Sequence, residues 1–225
     1  MRLRRSLFFL YVVLLSSRWL TGCQPRPSSP ADAVIDTRPA ELPTPRPGEA
    51  VMTLAAGCFW SVREQFALLR GVRAVVSGYA GGDLTYPTYE QVGTGQTGHA
   101  EAIQIYYNPA VIPFDTLLTA FFKAHDASSR NRQGPDVGSQ YRSVAFYRTP
   151  TEKAHIDRAI ARENQSGRYS RPIVTEVQPF RAFYAAEGYH QDYYRRHPNE
   201  LYIRTVSTPK VEAFRERMGK WVKAE

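Results

Sequence analysis

Cysteine is scarce in this chain: Cys23 and Cys58 are the two in 225 residues. Cys23 has its own explanation, given below, so Cys58 is the only free thiol expected in the mature protein. Long apolar stretches are missing as well. Leu7 to Leu15 is uninterrupted, but a spanning helix needs about 20 apolar residues. Acid is absent from residues 1–23, whereas Arg2, Arg4, Arg5 and Arg18 lie there. Without those four, 25 of the 29 basic residues face 21 acidic ones, and the formal charge falls from +8 to +4. That mild excess, with no basic helix and no aromatic-basic sheet motif, excludes nucleic acid as the expected partner. No internal repeat is found.

What is present begins with a targeting signal. A basic start precedes an apolar run of signal-peptide length. Leu20-Thr21-Gly22-Cys23 then resembles a bacterial lipobox. The resemblance implies removal of residues 1–22 and acylation of Cys23 as the new N-terminus. Two or more acyl chains hold a protein stably at a membrane. Gln24, rather than an acid, follows the cysteine. That places the protein at the periplasmic face of a bacterial envelope, with the outer membrane favoured. Residues 23–48 read as a linker with seven prolines. Such a chain is extended and reaches at most about 75 Å over 25 residues. A short N-terminal arm wrapped on the domain is the alternative around Val34-Ile35. Residues 49–225 have the length of one domain with a sizeable core.

Within that domain the informative stretch is Gly57-Cys58-Phe59-Trp60. Val51 to Leu54 reads as a buried strand, and Val62, Phe66 and Leu69 recur at helical spacing. Cys58 thus falls where a strand becomes a helix. Unpaired amides at a helix start favour an anion there. The expectation is a thiol that ionises readily, and the thiolate is the reactive form. A buried, inert cysteine is the other reading. Further on, Gly71–Tyr79 and Ala100–Tyr107 read as strands, separated by a loop over 80–98. Pro113–His125 is helical, and 128–140 is a polar loop. Tyr141–Arg148 is a strand, and Thr149 with Pro150 opens a helix to Gln165. Ile173–Phe180 is a strand. Tyr184–Tyr194 and Thr208–Lys223 read as helices. Strands interleaved with helices through short crossovers predict an α/β two-layer sandwich: a ferredoxin-like core with a mixed sheet and flanking helices.

Three further segments hold groups a sulfur nucleophile can use: Tyr86–Tyr89, Gly98–Glu101, and Arg132–Tyr141. Each is a loop-to-strand edge, where sites tend to lie. Read alone, Glu101 also fits an exposed strand carboxylate, Tyr89 and Tyr141 ordinary packing, Phe59 and Trp60 core at a helix start, and Asp136 a turn residue.

Six motifs in this order and spacing resolve those alternatives: Gly57-Cys58-Phe59-Trp60, Gly78-Tyr79-Ala80-Gly81-Gly82, Pro87-Thr88-Tyr89-Glu90, Thr97-Gly98-His99-Ala100-Glu101, His125-Asp126 and Gln140-Tyr141-Arg142-Ser143. Together they resemble peptide methionine sulfoxide reductase of the A type, from about Met52 to His197. The resemblance implies that Cys58 attacks the sulfoxide sulfur and that Glu101 protonates its oxygen. It implies that Tyr89 and Tyr141 hydrogen-bond that oxygen. Phe59 and Trp60 form the wall that receives the S-methyl group, and Asp136 orders the polar side. The products are methionine and a sulfenic acid on Cys58. No metal or bound cofactor is implied, and the S epimer is the substrate, free or in proteins.

Relatives commonly carry resolving cysteines near the C-terminus, but none lies between Pro198 and Glu225. An external thiol is therefore expected to reduce the sulfenic acid: a thioredoxin-like domain, a glutaredoxin or a small thiol. The partners are then oxidised envelope proteins, that reductant and the membrane, around a monomer. Ser61 stands where relatives commonly have Gly, and Pro135 where they commonly have Asn. Two other readings compete: a thiol hydrolase pairing Cys58 with His99, and a lipoprotein that binds methionine-rich partners without catalysis.

Overall fold

The computed structural model describes residues 35–224; the signal segment, Cys23 and the first part of the proline-rich segment lie outside them. In chain order the elements are β1 (Ala50–Ala56), α1 (Phe59–Ala67), β2 (Val72–Ala80), α2 (Tyr89–Gly93), β3 (Ala100–Tyr107) and α3 (Phe114–Ala124). Then come β4 (Arg132–Gln133), β5 (Asp136–Val137), β6 (Ser143–Tyr147), α4 (Pro150–Gln165), β7 (Glu176–Pro179), β8 (Phe183–Ala185), α5 (Tyr193–Arg196) and α6 (Thr208–Met218).

Six strands form one sheet in the order β7-β6-β1-β3-β2-β8. Neighbours run antiparallel, except β6 and β7, which are parallel. The sheet is therefore mixed, with helices packed against it. All eight residues of β3 are buried, because β3 has a strand on each side and cover on both faces. Successive side chains of a strand point to opposite faces. Ile103, Ile105 and Tyr107 join a core with Val62 and Phe66 of α1 and Leu117 and Phe121 of α3. Ala100, Ala102 and Tyr106 join a smaller cluster with Ala55, Val144, Phe146 and Phe183. Glu101 has the parity of Ile103, so β3 aims an acid at the layer that contains α1.

The helices follow their sequence signals. Thr149 Oγ1 accepts from Glu152 N (3.1 Å) and Pro150 fills the first turn of α4. In α3, Leu117, Leu118, Phe121 and Phe122 are buried. Phe214 of α6 meets Phe66 of α1 at 6.1 Å between ring centres.

Several expected elements differ. Tyr184–Tyr194 is not a helix: it contributes β8, a tight turn at Gly188–His190, and the start of α5. Pairing with the edge of β2 wins over helix propensity because Gly78, opposite Ala185, leaves the strand room to close. A Cβ on Gly78 would stand 2.3 Å from the Tyr184 carbonyl oxygen. The loop over 80–98 holds α2, opened by a capping box between Thr88 and Gln91. The polar loop over 128–140 holds the hairpin of β4 and β5, which turns at Gly134-Pro135 with Gly134 at φ +63°. Part of the proline-rich segment lies along the domain. Ala40 N donates to Ala186 O (3.0 Å), Gly188 N to Arg38 O (2.8 Å) and Tyr189 N to Asp36 O (3.1 Å).

Candidate active site

β1 ends at Ala56, and Gly57 turns the chain with φ +93°. A Cβ there would come within 2.7 Å of the Gln133 side chain, so glycine is required by both conformation and space. Cys58 follows as the residue that opens α1. It is a free thiol, 7% exposed.

The strand parity of β3 brings Glu101 to the same point. Its Oε2 accepts the Phe59 backbone N–H at 2.9 Å, and the residue is 3% exposed. Burial pushes the carboxyl up to about 8; the Asp136 charge adds to this and the Phe59 N–H opposes it. A carboxyl in that range carries its proton near neutral pH. The thiol departs from expectation. Burial, and after it the Glu101 charge, hold Cys58 above the ordinary thiol range. The Trp60 amide and the Tyr202 hydroxyl pull it down without overcoming burial. One amide that was to favour the thiolate, Phe59 N–H, is bonded to Glu101 instead. The resting pair is thus a thiol beside a neutral acid.

Tyr89 begins α2, and Tyr141 closes the turn Ser139–Tyr141 that enters β6. Both are half-buried. Burial raises both hydroxyls, and each feels the charges of Glu101 and Cys58, so the two phenols face the same centre. Glu187 fixes one of them in place. It accepts Tyr89 N–H on Oε1 and Tyr79 OH on Oε2, each at 2.9 Å.

Asp136, on β5, accepts the Tyr202 hydroxyl on Oδ2 at 2.8 Å and stands 3.7 Å from Lys210 Nζ. The same Tyr202 hydroxyl lies against Cys58, close enough that each shifts the other's ionisation. Phe59 is buried between His190 at 5.1 Å, Tyr79 at 5.9 Å and Tyr89 at 6.3 Å. Trp60 stacks on Tyr193 at 4.0 Å and meets the edge of Tyr202 at 5.8 Å. Its indole N–H donates to His190 Nδ1 at 3.1 Å, which assigns the ring proton of a neutral His190 to Nε2. Burial holds His190 down to about 4.

Cys58, Glu101, Tyr89, Tyr141 and Asp136 therefore meet, with Phe59 and Trp60 as the aromatic side. Cys23 lies outside the described residues. Sequence reasoning missed Tyr202, His190, Tyr193 and Glu187. The signal available was the aromatic density around His190, which helical spacing alone does not place. His99 stands apart. Its Nδ1 accepts Gly82 N–H at 3.2 Å and its Nε2 faces Leu84 O at 2.7 Å, so backbone occupies both nitrogens and no Cys–His pair forms. Among the described residues no three His, Cys, Asp or Glu side chains gather as a metal site.

A neutral acid, two phenols and a thiol around one point can protonate an oxygen while the sulfur takes it. Known proteins agree. Residues 50–222 match the family described as peptide methionine sulfoxide reductase. A relative from Thermus thermophilus, "Peptide methionine sulfoxide reductase MsrA", is 49% identical over 168 residues, 75% of this chain and 94% of that protein. "Peptide methionine sulfoxide reductase MsrA 1" of Rhodopirellula baltica is 46% identical over 189 residues, 84% of this chain and 97% of that protein. The crystal structure of reduced Mxr1 from Saccharomyces cerevisiae superposes with a TM-score of 0.65 at 32% identity. It covers 70% of this chain and 91% of its own.

Proposed function

Because this chain belongs to the peptide methionine sulfoxide reductase family, we propose that it reduces its substrate through the Cys58–Glu101 pair. The enzyme converts methionine sulfoxide to methionine with electrons from an external thiol. Phe59 and Trp60 receive the S-methyl group of the S epimer. Glu101 gives its proton to the sulfoxide oxygen, and Tyr89 and Tyr141 donate hydrogen bonds to that oxygen. Cys58 bonds to the substrate sulfur as its own proton passes to the vacated Glu101 carboxylate. Oxygen moves from the methionine sulfur to the cysteine sulfur. Thiol and sulfoxide thus become sulfenic acid and thioether, and Glu101 ends as it began. The observation that carries this reading is the buried Glu101 carboxyl anchored on Phe59 N–H, one residue from the nucleophile.

Asp136 acts through Tyr202 in this scheme: it holds the phenol that touches the sulfur. The membrane tether is part of the proposal too. It is supported by Leu20-Thr21-Gly22-Cys23 behind a signal-like segment, and it places the repair of oxidised proteins in the bacterial envelope. The order β1-α1-β2-β3-α3-β6, with sheet order β6-β1-β3-β2 at its centre, supports a ferredoxin-like core. The test is an assay of the domain with a methionine S-sulfoxide and dithiothreitol beside Cys58→Ser. Thiol-dependent methionine from the wild type alone is expected. None from the wild type removes the proposal.

A further inference from the structure

Cys58 lies on the wall of a cavity of about 800 Å³ that none of Glu101, Tyr89, Tyr141, Phe59 and Trp60 lines. Its walls come from Ser61 and Gln65 of α1, the end of α3, Gln133 before the hairpin turn, and α6. Cys58 thus borders two different environments. Glu101 and the aromatic groups lie to one part of it, and this hollow adjoins another.

The hollow is basic. Lys123, Arg168, Lys210 and Arg217 line it, against Asp126 as the one acid. Arg168 is paired with Glu163 at 2.8 Å and Lys210 with Asp136 at 3.7 Å, while Asp126 lies 3.7 Å from Arg171. Lys123 and Arg217 differ. Lys123 Nζ donates to Arg217 O (2.8 Å) and Arg217 Nη1 donates to Lys123 O (3.1 Å), and neither has a carboxylate within 4 Å among the described residues. Two cations are thereby held side by side at the rim, where like charges repel. Carbonyl oxygens fix their place and leave their charge unneutralised.

Displacement at sulfur requires the incoming thiolate, the sulfur and the departing oxygen to lie nearly in line. The sulfenic oxygen is left toward Glu101, which supplies the proton that makes it water. The reducing thiol must then enter away from Glu101, and the hollow adjoins Cys58 without being lined by Glu101. We propose that this cavity binds the reductant, a low-molecular-weight thiol carrying carboxylates, with Lys123 and Arg217 as its anion-recognition pair. The inference rests on the Cys58 sulfenic acid proposed above. A cavity of this size matches small-molecule sites. The first thiol attacks Cys58–SOH as its thiolate while Glu101 protonates the departing oxygen, forming a mixed disulfide and water. A second thiolate attacks the mixed disulfide, releasing a disulfide of the two small thiols and the Cys58 thiolate. The two protons that the thiols gave up to solvent return to Glu101 and Cys58. Two electrons pass from two thiols to one sulfenic acid.

The experiment measures steady-state reduction of a methionine sulfoxide peptide by three reductants: glutathione (two carboxylates), dithiothreitol (neutral) and thioredoxin. It compares wild type, Lys123→Gln/Arg217→Gln and Arg217→Lys. The double variant should lose about tenfold in kcat/KM for glutathione, since two partly exposed charge contacts go. Its dithiothreitol and thioredoxin rates should stay within twofold of wild type. Arg217→Lys keeps the charge and should keep most of the glutathione rate. The wild-type glutathione rate should also fall with added salt. An equal loss with all three reductants, or none with glutathione, overturns the assignment. So does a loss confined to thioredoxin, which would give the cations to a protein partner. Failure of wild type with dithiothreitol would instead sink the sulfenic acid chemistry on which the inference rests.

Discussion

Glu101 is anchored to the helix that Cys58 opens: its Oε2 accepts the Phe59 N–H at 2.9 Å. The carboxyl and the residue next to Cys58 are therefore joined by one backbone amide, and Glu101 cannot move away without giving up that bond at the first turn of α1.

Glu101→Gln keeps an acceptor for Phe59 N–H but has no proton to give. The rate with dithiothreitol should fall on the order of 10² to 10⁴, with the melting temperature close to wild type. The wild-type rate should also decline above pH 8, where the carboxyl ionises. Unchanged turnover in the glutamine variant would assign the acid elsewhere.

Stability should respond to pH through the same carboxyl. Folding raises Glu101 from 4.5 to about 8, so the folded state holds a proton that the unfolded state has lost. That contribution is whole below pH 4.5 and gone once pH rises through 8. His125 and His190 act in the opposite sense. Burial lowers both from 6.5 to about 4, so their contribution is whole above pH 6.5 and is lost as pH falls through 4. Between pH 6.5 and 8 Glu101 is the one of these three still changing, so urea midpoints of wild type should fall across that range and stay level in Glu101→Gln. A fall between pH 6.5 and 8 that persists in the variant contradicts this.

Tyr202→Phe removes the hydroxyl that donates to Asp136 and lies against Cys58. The thiol loses a contact that lowers it, so alkylation of Cys58 by iodoacetamide at pH 8 should slow. A hydrogen bond of this kind contributes about 1 kcal/mol, and kcat/KM should fall by about that equivalent, some tenfold at most. Faster alkylation would show that Tyr202 holds the thiol form instead.

A single turnover without reductant should leave one added oxygen on Cys58, visible by mass spectrometry and trapped by dimedone. Cys58 is the one cysteine among the described residues. A disulfide within the chain would refute direct reduction by an external thiol.

Much of this was legible in the sequence. The turn at Gly57, Cys58 at the head of a helix, β3 with Glu101 near its start, and the faces of α3 and α4 are local patterns, and local patterns survive packing. The Cys58 thiol and the segment 184–194 were not legible, for the same reason. The thiol is set by burial and by an acid 43 residues away in the chain, which outweigh the helix start. The segment is set by the open edge of β2 and the absent side chain at Gly78. Tyr202 and His190 reach the site from the far end of the chain, and no spacing rule joins residue 202 to residue 58.

Placing Glu101 away from solvent has an effect beyond the first proton it delivers. A carboxylate born in so dry a place is a poor ion and a strong base, so it recaptures a proton as soon as a thiol offers one. In the proposed scheme the desolvation that arms the acid also draws the Cys58 proton back to it after each oxygen transfer.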